Sequence, residues 1–483
     1  MRHAHKLLWI AAAALACGSS STSPVATTAE TPATPAGSTN PPATPAGVVV
    51  LANPNPSQPA TVGTAFAYDA TAGGTTFRDN RGSGLTYTVS LSPVGSGLSV
   101  ANGRVMGTPA TPGLVTVVIT ATDAGQATAS DTFDIISFAS GLSAPLLDAS
   151  FRYSDADGNV PGHFTNGNGG PGGLVSTQDN TPATNPITNA GAALGRALFY
   201  DPRLSGNDLV SCASCHQQSS GFADTARLST GFRGGLTGRH SMALTNARYY
   251  GRGRFFWDER AATLEDQVLR PIQDTVEMGM TLDQLEKKLA LTDYYPVLFS
   301  AAFGTPMITR DRISLALAQF VRSLVSGRSR FDQAAAAGPT AFATVLTAIE
   351  DRGRDVFAQV GCARCHATFA QLADDTHNTG LDFAVTDVGA GNGRFKSPSL
   401  RNVGVRGRFM HDGRFSSLAE VVEFYDNGVR NNPNLDQRLR GPGGQPQRLN
   451  LSADDKAALV AFLNTLTDPT FLTDTRFSNP FPR

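Results

Sequence analysis

The chain has 483 residues, 40 acidic and 39 basic, for a formal net charge of −1. Balanced charge without a basic stripe excludes nucleic acid as a partner. The length allows about two to four domains, and no segment beyond the N-terminus is long and apolar enough to cross a bilayer.

Residues 1–17 read as an export signal. Arg2 and Lys6 give the positive end, and the ten residues Leu7 to Ala16 are too short a core to span a membrane. Two processing routes fit. Ala14-Leu15-Ala16 suits ordinary signal cleavage, whereas Cys17, followed by Gly-Ser-Ser-Ser, suits lipidation, with Ala14 where a lipobox usually has Leu. Either route makes the mature protein periplasmic or cell-surface, touching the membrane only through a lipid anchor at Cys17. Residues 18–47 are rich in Ser, Thr, Pro and Ala and form an extended tether.

From 48 to 138 the pattern is that of strands. Leu114 to Ala121 is β-branched between Pro112-Gly113 and Asp123-Ala-Gly125, and Leu85 to Leu91 alternates. Short strands with Gly/Pro turns predict a β-sandwich. The run from Gly97 to Pro109 resembles bacterial immunoglobulin-like (Ig-like) domains, which implies a spacer or adhesion module. Residues 139–190 form an irregular linker. Within it Asp155-Ala-Asp157-Gly-Asn159 lacks the closing glutamate of a calcium loop and reads as a turn.

After Gly191 the chain becomes helical. Thr309 opens a helix carrying Ile313, Leu317 and Phe320, and Ser452 opens one carrying Leu459, Phe462 and Leu466. Two motifs dominate this half: Cys212-Ala-Ser-Cys215-His216 and Cys362-Ala-Arg-Cys365-His366. In each, two thiols can bond to the vinyl groups of one haem, and the histidine can ligate its iron. Of five cysteines, four lie in these motifs and the fifth is Cys17, so no pair remains for a structural disulfide. The expected architecture is an Ig-like β-sandwich followed by two mainly α cytochrome c-like haem domains, 191–335 and 336–470, with a tail over 471–483. The expected cofactors are two covalently bound haem c groups.

Residues 191–467 resemble the bacterial dihaem cytochrome c peroxidase family, which includes the MauG-type enzymes. The resemblance rests on the runs from Gly195 to Ser205 and Phe256 to Leu264, on Val276-Glu277-Met278, and on Ser399 to Val403 with Met410 to Phe415. It implies that the N-terminal haem domain is peroxidatic and reacts with hydrogen peroxide, while the C-terminal one handles electrons. It places Trp257 between the haems as a relay, and Gln267, Pro271 and Glu277 in the distal pocket. Peroxide activation needs one group that takes a proton from one oxygen and returns it to the other. Glu277 can do both, with Gln267 orienting peroxide.

Two departures stand out. Family members that need reductive activation have a second histidine where this chain has Phe232, so the N-terminal iron is expected to be open. His240 is the nearest substitute ligand, but it aligns with an asparagine that binds an inter-haem calcium in the family, so that calcium is expected to lose a ligand. At the C-terminal iron, Ser417 and Glu420 make a capping box, and Tyr425 shares a face with Leu418, Val421 and Val422. The resemblance puts Tyr425 at the position of the sixth ligand, as in MauG-type enzymes. Met410, forty-four residues after His366, is the alternative. Met278, Met280 and His411 read as packing or loop residues, and His163 and His377 have no evident partner.

The expected function is an extracytoplasmic dihaem peroxidase with a small redox protein as electron donor. One alternative is a MauG-like enzyme oxidising a residue of a protein substrate, and another is a non-catalytic electron-transfer cytochrome.

Overall fold

A computed structural model describes residues 47–166, 173–372 and 375–482. The export signal, most of the tether and Cys17 lie outside the described residues.

The strand-rich region forms β1 (Val49–Leu51), β2 (Gln58–Thr61), β3 (Phe66–Asp69), β4 (Phe77–Asp79), β5 (Leu85–Ser92), β6 (Leu98–Ala101), β7 (Arg104–Gly107), β8 (Gly113–Asp123) and β9 (Thr128–Phe138). One sheet has the order β2-β9-β8-β5 and a second the order β3-β7-β6, with β1 and β4 paired at the side. The strands of the larger sheet are antiparallel except β2, which runs parallel to β9. Alternation places Val115, Val117, Ile119 and Ala121 of β8 in the core between the sheets. Tyr68 of β3 meets Phe133 of β9 edge-on at 5.4 Å, which joins the two layers.

The sandwich rests on the helical half. The Leu282–Ala290 helix supplies Lys287, which pairs with Asp134 of β9, and Lys288, which pairs with buried Asp208. Asp208 also accepts the backbone N–H of Ala139 at 2.8 Å.

The helical half contains two helix pairs built alike. The Asn189–Tyr200 helix crosses the Arg310–Ser323 helix, and the Ala348–Gln359 helix crosses the Ala453–Asn464 helix. Each crossing depends on a glycine. A Cβ on Gly195 would stand 2.0 Å from the Ala316 carbonyl, and one on Gly353 would stand 1.9 Å from that of Ala458. Thr309 and Ser452 cap their helices as the sequence predicts, accepting from Arg312 and Asp455 backbone N–H groups. A separate apolar core surrounds each pair.

Two segments contribute more than their composition suggests. The linker buries Phe164 and Val175 against Tyr249, Tyr250, Ala370 and Leu372. The stretch expected as a tail, 471–483, instead completes the first haem-type core. Phe471 and Phe477 are buried there, and the carbonyls of Phe477 and Ser478 accept from Tyr200 and Arg196, each at 2.7 Å. Asp155 pairs with Arg248 and Asp157 with Asn189, so the aspartates of the expected turn serve packing. Among the described residues, no helix is long and apolar enough to cross a membrane.

Candidate active site

Each CxxCH motif lies on the wall of its own cavity. In the first half, Ser211 and Ser214 cap the short Cys212–Cys215 helix reciprocally. The His216 backbone N–H closes that turn onto the Cys212 carbonyl at 3.0 Å. His216 Nδ1 lies 3.0 Å from the Phe222 carbonyl. A carbonyl only accepts, so Nδ1 carries the proton and Nε2 is left as a metal ligand. Burial lowers the His216 pKa, which favours the neutral, ligating form. Burial also pushes the Cys212 and Cys215 thiols up to about 12 and about 11.

This first cavity, about 700 Å³, is lined by Cys212, Cys215, His216, Gln267, Pro271 and Glu277 among apolar side chains. The second, about 1250 Å³, holds Cys362, His366, Met410, Tyr425, Trp257 and His240. Two thiols and an imidazole on the first apolar wall, and the Cys362 thiol with the His366 imidazole on the second, fit a covalently held haem in each.

Glu277 is set by a tight turn. Asp274 Oδ1 accepts the backbone N–H groups of Val276 at 2.8 Å and Glu277 at 3.1 Å. The Glu277 carbonyl accepts from Phe232 N–H at 3.0 Å. Burial, then the nearby Asp274 charge, raise the Glu277 pKa, against a lowering pull from Arg260. Glu277 also borders an outer pocket of about 640 Å³ lined by Phe256, Arg260, Arg270 and Pro271. It therefore stands between the inner cavity and the surface.

Phe232 does not line the first cavity. Its ring lies against Gly279, where a Cβ would meet it at 2.1 Å, and Gly231 packs directly on the Val276 carbonyl. The Phe232 loop thus buttresses the Glu277 turn. His240 is not in the first cavity either. Its backbone N–H donates to His411, and its Nδ1 faces the carbonyls of Ala226 and Arg227 at 3.1 and 3.2 Å. It lies on the wall of the second cavity.

Trp257 Nε1 donates to the His240 carbonyl at 2.7 Å, and its ring meets His411 edge-on at 6.5 Å. His411 in turn stacks on Phe395 at 3.6 Å. The tryptophan thus lies against residues of both halves. Met278 and Met280 are buried packing residues. His163 pairs with buried Asp332 at 2.7 Å, and His377 with Asp436 at 2.7 Å.

The two halves reach their cavities by the same local route. Phe256 and Met410 both take left-handed backbone, with φ of 68° and 70°. Each lies in a bridged turn, Phe255–Ala261 or Phe409–Phe415. A capped helix follows, Leu264–Gln273 behind Thr263 and Leu418–Glu423 behind Ser417. Counted from the caps, Gln267 and Pro271 occupy the places that Val421 and Tyr425 occupy in the second half. The first half thus has a ring without a donor atom where the second has a phenol. Tyr425 lies in a π-helical turn, Phe424–Gly428, that continues its helix. Burial, then the neighbouring Cys365 and Cys362, raise its pKa. Met410 lines the same cavity, so both ligand candidates stand on that wall.

In the second motif the His366 backbone N–H closes onto the Cys362 carbonyl at 3.0 Å, as in the first. Burial lowers the His366 pKa to about 4, against a smaller raising pull from the Gln371 backbone. Burial pushes the Cys362 thiol up to about 12. At Cys365, burial acts the same way but is outweighed by contacts with His377 and Arg438.

Comparison with known proteins decides the family. The di-haem cytochrome c peroxidase model matches residues 189–340, a cytochrome c model residues 350–467 and an Ig-domain model residues 48–137. The methylamine utilization protein MauG of Methylorubrum extorquens is 36% identical over 59% of this chain and 80% of its own. The chain belongs to the dihaem cytochrome c peroxidase and MauG family. Another relative of this dihaem-family protein is the cytochrome c551 peroxidase of Nitrosomonas europaea, 31% identical over 57% of this chain and 79% of its own. Among solved structures, a MauG-like protein associated with microbial copper homeostasis aligns with TM-score 0.55 and 30% identity, over 62% of this chain and 96% of that one. The family is one of haem c oxidoreductases, and the dihaem-family protein adds an Ig-like sandwich ahead of that unit.

Proposed function

We propose that the protein is an extracytoplasmic enzyme with two covalently bound haems that reduces hydrogen peroxide to water with electrons from a small redox protein. The observation that carries this reading is Glu277. It is a carboxylate of raised pKa, set between a surface pocket and the cavity of His216, where no second histidine lines the wall.

A haem bound at His216 supplies an iron centre that binds and activates peroxide. The residues govern the protons. Glu277 takes the proton from the near oxygen of hydrogen peroxide and delivers it to the far oxygen, which leaves as water. The Gln267 amide orients the peroxide by hydrogen bonds. Each turnover consumes two electrons and two protons per peroxide and yields two waters. Trp257 relays electrons from the second cavity to the first. Tyr425 would hold the iron of a haem bound at His366, because it occupies a helical position on the cavity wall that has a counterpart in the first half. Export follows from the charged and apolar N-terminus, with lipidation at Cys17.

Tyr425 also favours a second reading. A phenolate is a hard, anionic ligand that lowers a haem potential and suits oxidation of a residue on a protein substrate. The 36% identity with a MauG protein points the same way. Stoichiometric peroxide given with and without a reduced donor protein separates the two. Rapid return to the resting spectrum only with donor supports the peroxidase. A long-lived oxidised spectrum that the donor does not quench supports the alternative.

A further inference from the structure

The second cavity contains a cation to which the described residues of its wall bring no counter-charge. Arg406 lines it together with Lys396 and Arg408, and among the described residues no Asp or Glu does. One guanidinium nitrogen of Arg406 donates to the carbonyls of Ser399 at 2.7 Å and Arg401 at 2.6 Å. Its Nε is sealed from solvent with no hydrogen-bond partner. Burial alone lowers its pKa, to about 10, so it remains charged at neutral pH. Lys396 differs. Its ammonium reaches the Arg254 carbonyl at 3.1 Å, lies over the rings of Tyr250 and Phe255, and feels the Glu259 charge.

A half-buried guanidinium that meets carbonyls through one terminal nitrogen while its sealed Nε–H has no acceptor is an incomplete anion site. Its planar fork suits a carboxylate. The ligand must enter the cavity and bring the missing charge. A porphyrin with propionate side chains does both.

We propose that Arg406 binds a carboxylate of the haem held in the second cavity, and that this internal guanidinium takes over the role of a divalent cation between the haem domains. The inference rests on the two-haem reading above. His240 sharpens the second clause. Its Nδ1 is committed to backbone carbonyls, and burial, with a smaller push from Arg406, disfavours positive charge there. A calcium ion there would meet the same repulsion.

The test uses the full holoprotein. A haem count per chain comes first, and fewer than two would overturn the two-haem reading and this inference with it. Redox titration of Arg406→Gln then reads the charge. Loss of one charge-assisted pair should make reduction of one haem about tenfold less favourable, about 59 mV for a one-electron couple. The other haem should stay within about twofold, and EGTA should leave both wild-type potentials unchanged. A two-haem variant with unaltered potentials would overturn the inference, as would an EGTA shift as large as that of the variant. If the variant does not accumulate, a crystal structure of the wild-type holoprotein decides. Arg406 Nε within about 3 Å of a porphyrin carboxylate supports the assignment. A water or a protein acceptor in that place overturns it.

Discussion

The two cavities share a wall design and differ in charge. Among the described residues, the first is lined by one carboxylate, Glu277, and by no lysine or arginine; the second has Lys396, Arg406 and Arg408 and no carboxylate. The first has Pro271 where the second has Tyr425. On the function proposed above, proton handling belongs to one half and a capped electron site to the other. A duplicated local scaffold acquires two roles through a handful of side chains.

The largest test of this contrast is Glu277→Gln. The substitution keeps size and hydrogen bonding but removes the proton acceptor. Steady-state peroxide turnover should fall roughly 10²–10⁴-fold at unchanged haem content. Near-wild-type turnover would leave the first cavity without its defining group. The pH profile offers a second view of the same carboxylate. Glu277 must be ionised to accept a proton, and its pKa is raised above 4.5. The acid limb of kcat/KM should therefore lie above the ordinary glutamate value and vanish in the variant.

Tyr425→Met tests the other side. Exchanging phenolate for thioether should raise the potential of the second haem, on the order of 0.1 V within the ~0.8 V span that axial ligands cover. A sulfur-to-iron charge-transfer band already present in the wild-type ferric protein would instead assign the ligand to Met410. The shared scaffold can be stressed equally in both halves. Gly195→Ala and Gly353→Ala drive a Cβ into a facing carbonyl, and each should cost about 1–3 kcal/mol by denaturant unfolding of the holoprotein. The smallest effect is expected at Phe232→Ala, which removes the ring packed on Gly279. Peroxide kcat/KM should fall less than about tenfold, because the Glu277 turn keeps its Asp274 bonds.

Local chemistry was readable in the sequence, and long-range pairing was not. The two CxxCH motifs, the caps at Thr309, Ser417 and Ser452 and the alternation of β8 depend on neighbours a few residues apart, so spacing alone exposes them. His163 has no evident partner in the sequence because Asp332 lies 169 positions away. The residues after 470 look like a tail because Phe471 and Phe477 bury against helices that begin near residue 189. Arg406 leaves no signal at all, since an unpaired guanidinium shows only once the surrounding side chains are in place. The 139–190 linker is rich in turn residues, yet it anchors Phe164 and Val175 between the two halves.

Resting-state electron paramagnetic resonance of the ferric holoprotein tests the central contrast most directly. An open iron at His216 and a capped iron at His366 predict one high-spin and one low-spin signal of equal intensity. Two low-spin signals would contradict the account, because they would require a sixth protein ligand in the cavity that Glu277 and Pro271 line.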